Sequence, residues 1–205
     1  MAKQMAFYVD LRSCVGCKAC QIACKDKNDL GPDRVYRRVV EVAGGDWIQQ
    51  GDAWTTNAFA YYLPTACMHC EEAPCVKACP TTAMYKRDDG VVLVDQTKCI
   101  GCRYCEWACP YGAPQYNAAI GKMTKCDFCV DYLDQNQPPA CVAACGMRVL
   151  DYGELADLQA KYGTTNDIYP LPDPAIAKPS LVITPHDSSI RVSTEPVRIA
   201  NPEEI

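Results

Sequence analysis

Residues 99–110 read Cys99-Ile-Gly-Cys102-Arg-Tyr-Cys105-Glu-Trp-Ala-Cys109-Pro110. The spacing is C-x2-C-x2-C-x3-C-P, a pattern that ligates iron–sulfur cubes through thiolate sulfur. Three closely spaced cysteines curl around one cube. The fourth, on the helix that follows, points away and reaches a second cluster. Such a motif needs a partner, and three other groups are present. Cys14, Cys17, Cys20 and Cys24 repeat the spacing. Cys67, Cys70, Cys75 and Cys79 have a wider middle gap and are followed by Pro80. Cys126, Cys129, Cys141 and Cys145 form the last group, with Gly146 where a proline often follows. All 16 cysteines fall into these four groups.

Other uses of so much cysteine fit less well. A disulfide scaffold suits short secreted chains, and residues 1–10 have no signal-like apolar stretch. A zinc site takes two C-x2-C pairs set apart, and the trailing x2-C-x3-C of two groups is surplus to it. Catalysis has little to work with. The two histidines are His69, between cysteines, and His186, in a proline-rich stretch, and no G-x-G-x-x-G or P-loop pattern offers a nucleotide site. No run of 18 apolar residues spans a membrane; the longest candidate, residues 58–68, is broken by Pro64. The formal charge is −5, and four thiolate-bound oxidised cubes would take it to about −13. So acidic a chain is a poor nucleic-acid binder. Lys18, Lys25, Lys77, Lys98, Arg103 and Lys125 stand beside cysteines. Each either offsets cluster charge or is an ordinary solvated cation.

The elements that must carry the cysteines are short. Residues 7–11 read as a strand and 18–27 as a helix bearing Cys20 and Cys24. Residues 28–66 lack cysteine and hold expected strands at 34–43 and 55–63 about a Gly44-Gly45-Asp46 turn. Residues 84–87 and 91–95 flank Asp88-Asp89-Gly90 as a β-hairpin. A strand near 115–117 and a helix over 154–162 follow. Seven of the 15 prolines lie in 168–205, which reads as an extended tail outside any packed domain.

An internal repeat sets the architecture. Val9-Asp10 through Ala23-Cys24 matches Val94-Asp95 through Ala108-Cys109 at a constant offset of 85, and Cys75-Val76-x-Ala78-Cys79 recurs at Cys141–Cys145. The expected fold class is α+β: two nested ferredoxin-like units with a pseudo-two-fold relation, a β-containing insertion and the extended Pro-rich tail. Residues 1–27 and 118–167 form an outer unit, 28–66 the insertion, 67–117 an inner unit and 168–205 the tail. The exchange of fourth ligands then pairs Cys67, Cys70 and Cys75 with Cys109, and Cys99, Cys102 and Cys105 with Cys79. In the outer unit Cys14, Cys17 and Cys20 take Cys145, and Cys126, Cys129 and Cys141 take Cys24. The chemistry of four such sites is outer-sphere electron transfer, with potentials set by amide hydrogen bonds to sulfur, solvent exposure and local charge.

Four groups with these spacings resemble the four-cluster iron–sulfur subunits of the molybdopterin oxidoreductases. The likeness is greatest to the electron-transfer B subunits of anaerobic dimethyl sulfoxide reductases. Gly44-Gly45-Asp46-Trp47, Phe59-Ala60-Tyr61-Tyr62-Leu63, residues 99–117, Met123-Thr124-Lys125-Cys126-Asp127 and the tail from Pro170 to Pro185 carry it. The resemblance implies four 4Fe-4S clusters in a heterotrimer. A molybdopterin catalytic subunit reduces dimethyl sulfoxide or a related S- or N-oxide, and a membrane anchor subunit oxidises the quinol. It implies that the Cys79, Cys99, Cys102 and Cys105 cluster faces the quinol, and that the Cys14, Cys17, Cys20 and Cys145 cluster faces the molybdenum. A cysteine at Cys102, where nitrate reductase relatives carry tryptophan, implies a full cube there. The chain is then held at the membrane only through its anchor partner, on either side. The same relay role in a formate dehydrogenase, polysulfide or tetrathionate reductase is the alternative. A zinc-binding interaction module and a free-standing polyferredoxin are further readings.

Overall fold

The computed structural model describes residues 3–189 and 196–205. In chain order the elements are β1 (Met5–Asp10), α1 (Ala19–Lys27), β2 (Arg38–Gly44), β3 (Trp47–Gln50), β4 (Ala53–Thr56) and β5 (Phe59–Thr65). The one-turn helix α2 (Pro74–Lys77), β6 (Met84–Lys86), β7 (Val92–Val94) and α3 (Tyr104–Ala108) follow. Then come β8 (Gln115–Asn117), β9 (Lys122–Thr124), α4 (Val130–Leu133), α5 (Ala140–Ala143), β10 (Leu150–Glu154), α6 (Leu155–Tyr162), β11 (Leu181–Thr184) and β12 (Val197–Ile199).

β1 is the middle strand of a three-stranded sheet. It pairs antiparallel with β10 and parallel with β11. Both faces are covered, so the run from Met5 to Val9 is apolar without alternation. Phe7 and Val9 face the main core, whereas Ala6 and Tyr8 face Leu158 under α6, where the Tyr8 and Tyr162 rings stack at 3.6 Å. A second sheet, β12-β2-β5, buries Val39, Val40, Val42, Tyr61 and Leu63. The pairs β3–β4, β6–β7 and β8–β9 are isolated hairpins.

Most elements lie where periodicity put them, and three depart from it. The run 55–63 is not one strand. It breaks at Asn57-Ala58 into β4 and β5, and β4 folds back on β3 as a hairpin whose residues are all exposed. The strand expected from residue 34 begins at Arg38, because Arg37 turns inward. The tail is extended, as its prolines require, but part of it is packed. Leu181, Val182 and Ile183 are buried in the central sheet, and Ala177 and Ser180 are buried ahead of them. Tail residues 190–195 lie outside the described residues.

Candidate metal centres

Four C-x2-C loops present the first cysteines of each group, and the residue before each second cysteine has positive φ: Gly16 (67°), His69 (42°), Gly101 (70°) and Phe128 (65°). A left-handed residue turns successive backbone N–H groups inward, which makes an anion nest of the kind found at iron–sulfur sites. Two loops use glycine, the residue without a steric penalty there. In the same two loops Lys18 (59°) and Arg103 (65°), each other's counterparts in the repeat, are also left-handed and begin α1 and α3. The other two loops hold side chains in the strained geometry by burial: Phe128 stacks on Phe7 at 4.1 Å and meets the edge of His69 at 5.2 Å.

The loops bring the expected cysteines together. Cys14, Cys17, Cys20 and Cys145 line one cavity with Val39 and Leu150. Cys67, Cys70, Cys75 and Cys109 line a second with His69, Tyr111 and Lys125. Cys79, Cys99, Cys102 and Cys105 line a third with Met84 and Met123. Cys24, Cys126, Cys129 and Cys141 are electrostatic neighbours at the packing of α1 on α5. Neighbouring sets are also within electrostatic reach of one another. Cys20 faces Cys141, Cys126 faces Cys67 and Cys75 faces Cys105. The sets therefore run in a line: first, fourth, second, third.

None of the 16 cysteines is joined in a disulfide. Burial pushes Cys20, Cys105 and Cys129 up to about 11 and Cys24 and Cys75 to about 12, with neighbouring thiols adding to the effect. Cys126 is pushed well up for the same reasons. Cys79 moves the other way. Burial raises it, but donation from Met84 N–H at 3.4 Å, with Thr81 and Ala83, lowers it more. Met123 N–H donates to Cys99 Sγ, also at 3.4 Å.

The donor sets fit 4Fe-4S clusters. Among the described residues no three His, Cys, Asp or Glu side chains converge on a point that a single ion could occupy. Four thiolates around one zinc at about 2.3 Å would lie within about 4 Å of one another, a convergence not found among the described residues. Two buried polar groups, His69 Nε2 and Tyr111 Oη, lack partners, and both residues line the cavity of the second set. Sulfide or thiolate sulfur is the acceptor that their placement leaves open.

Of the basic residues singled out, Lys18 pairs with Glu204, Lys77 with Glu72, Lys98 with Asp95 and Arg103 with Glu106. Lys25 donates to the carbonyls of Gly31 and Arg34. Lys125 is buried at the second cavity and donates to the carbonyls of Val92 and Cys126. Sequence reasoning missed Arg37, which is buried beside Cys141. Its one signal was a charge just ahead of the apolar run Val39-Val40.

Residues 58–155 match the 4Fe-4S dicluster domain family. Over its whole length the chain is 47% identical to the whole of the anaerobic dimethyl sulfoxide reductase B subunit of Escherichia coli (strain K12). The corresponding B subunit of Haemophilus influenzae is also 47% identical, over 99% of this chain and all of that one. This chain belongs to the family of anaerobic dimethyl sulfoxide reductase B subunits. It is an iron–sulfur electron-transfer subunit whose cofactors are 4Fe-4S clusters. The polysulfide reductase B subunit of Wolinella succinogenes is 38% identical over 91% of this chain and 96% of its own.

Proposed function

We propose that the 16 cysteines hold four 4Fe-4S clusters in the pairing set out above. The chain then relays electrons from a quinol-oxidising membrane anchor subunit to a molybdopterin subunit that reduces dimethyl sulfoxide or a related S- or N-oxide. The observation that carries this is the sorting of the cysteines. Three cavities each gather one set of four, and the remaining four are mutual neighbours. A bound cube takes up and gives back one electron with little rearrangement, because the charge spreads over its iron and sulfide.

The chain supplies spacing, shielding and docking. Residues 67–117 act as an inner ferredoxin-like unit. Residues 1–27 and 118–167 act as the outer unit, related to it by a pseudo-two-fold, with 28–66 inserted and 168–205 as the tail. Linear order leaves the first and third sets at the two ends. Each end is rimmed by exposed apolar side chains: Val15, Ile22 and Met147 near the first, and Ile100, Tyr104 and Trp107 near the third. Such patches mark partner surfaces. The third set faces the anchor and the first the catalytic subunit in a heterotrimer. No helix among the described residues is long and apolar enough to cross a membrane, so attachment runs through the anchor. The likeness to the polysulfide reductase B subunit favours, as second reading, the same relay to a different sulfur acceptor.

Iron, zinc and acid-labile sulfide per chain, with EPR of the reduced complex, test this. About 16 iron and 16 sulfide, with interacting spins, are expected. Zinc, or about 8 iron, would refute the four-cluster assignment.

A further inference from the structure

Arg37 is the largest fully buried side chain among the described residues, 2% exposed. Nη1 donates to Pro64 O at 2.9 Å, and Nη2 donates to Cys141 Sγ at 3.5 Å. The guanidinium lies 4.6 Å from the centroid of the Phe7 ring, and Nε has no partner. No carboxylate stands among the groups that act most strongly on it. They are the thiols of Cys141, Cys126 and Cys24, from the fourth set, and of Cys20, from the first. Burial works against the charge, and those four thiols raise the guanidinium further than burial lowers it. A buried cation without a carboxylate is costly unless another anion faces it. The anion available here is whatever the cysteines hold.

Lys125 shows the contrast. It lies at the junction of the fourth and second sets, lowers Cys75 and Cys126, and points its ammonium at two carbonyls. Arg37 reaches ligand sulfur of the outer pair directly.

We propose that Arg37 sets the reduction potentials of the two outer clusters, the one held by Cys14, Cys17, Cys20 and Cys145 and the one held by Cys24, Cys126, Cys129 and Cys141, through a fixed buried charge shared between them. The proposal rests on the ligand reading above. Each cluster gains one negative charge when it accepts an electron, and a cation in low dielectric favours that state over the oxidised one. Because one guanidinium faces both sets, its effect is common to the two and strongest there; on the inner side it reaches His69, which lines the second cavity, but is not among the leading influences on Cys70, Cys75 or Cys109. Arg37 touches ligand sulfur without supplying a ligand, so it is a positioning charge.

The test uses the assembled complex with Arg37→Gln and Arg37→Lys chains. Iron and sulfide are counted first, and the midpoints are then read by EPR-monitored redox titration. With all four cubes present, the glutamine chain is expected to lower two midpoints together. Each falls by about tenfold in the reduction equilibrium, about 59 mV for a one-electron couple, while the other two stay. The lysine chain restores both. Four unmoved midpoints, or four that fall together, would overturn the proposal. If the glutamine chain fails to load, the lysine chain decides. It keeps the charge, so both outer midpoints must hold, and a tenfold shift in either refutes a purely electrostatic role. A wild-type count short of four cubes would instead overturn the ligand reading, and the proposal with it.

Discussion

Gly101→Ala strikes the third set through the backbone. Gly101 has φ +70°, and a Cβ placed there would lie 2.2 Å from Gly121 O. The left-handed geometry alone costs a non-glycine residue about 1–2 kcal/mol. The clash is with backbone and cannot be relieved by a rotamer change, so the Gly121 carbonyl must retreat by about 1 Å to reach ordinary contact. Gly121 lies in the turn joining β8 to β9, and Met123 on β9 donates its N–H to Cys99 Sγ. Moving the turn draws that donor away, and a hydrogen bond to a charged acceptor is worth about 1.5–3 kcal/mol. The sum is about 3–5 kcal/mol against the third cluster, enough to weaken its retention by at least about a hundredfold. Gly51→Ala is the control. Gly51 has φ +64° with nothing within 4 Å, so it carries the backbone penalty and touches no ligand. Iron per chain and the rate of iron loss to a chelator, read beside the cluster EPR signals, give the answer. Gly101→Ala should lose one cluster selectively while Gly51→Ala retains four. Full iron and equal chelation rates in both would refute the reasoning.

Cys102→Ser should leave about 15 iron in a chain with one three-iron centre. It should slow quinol-to-acceptor flow while reduction of the acceptor by artificial donors continues. Loss of artificial-donor activity with assembly intact would contradict the placement of that cluster at the quinol end. Chelator release should quicken as pH falls from 8 to 6. Burial holds the free thiols of Cys20, Cys24 and Cys75 at about 11 to 12, so the cluster-free fold binds protons that the loaded one does not, and acid favours the empty state. A release rate independent of pH would count against this. Val182→Asp places a carboxylate where the side chain is 0% exposed, between β1 and α6, and should abolish soluble, iron-loaded protein. Ile176→Asp, at an exposed site, should leave the yield unchanged, and equal iron in the two chains would disprove the structural role of β11.

The cysteine grouping was legible because ligand spacing is a local property. So was the β6–β7 hairpin, where Asp88-Asp89-Gly90 has turn chemistry and its flanks are strand-formers. β8 falls at Gln115–Asn117, as its sequence indicates. What escaped depends on distant partners. β10 and β11 are too short to declare themselves and become strands because β1 offers an edge on each side. The proline density of the tail reports an extended backbone correctly and says nothing of what lies against it. His69 and Phe128 show the same limit. Their φ values mimic glycine, and only the packing of the two rings explains how they are held. Arg37 read as one charge among 20 lysines and arginines, since burial beside four thiols is a fact of assembly.

The placement of β1 has a consequence for biosynthesis. Phe7 emerges from the ribosome long before its partners Tyr152 and Leu181. At about 5–20 residues per second the first strand waits many seconds for its neighbours. On the proposed pairing, Cys67 through Cys109 are complete well before then, whereas Cys14 waits for Cys145. On that pairing iron delivery is staged, with the inner sites able to fill on the nascent chain and the outer ones sealed only after Cys145 has emerged. An abrupt shortage of iron–sulfur donor late in synthesis should leave half-loaded chains whose N-terminal strand is exposed to proteases, a built-in route for discarding incomplete wires.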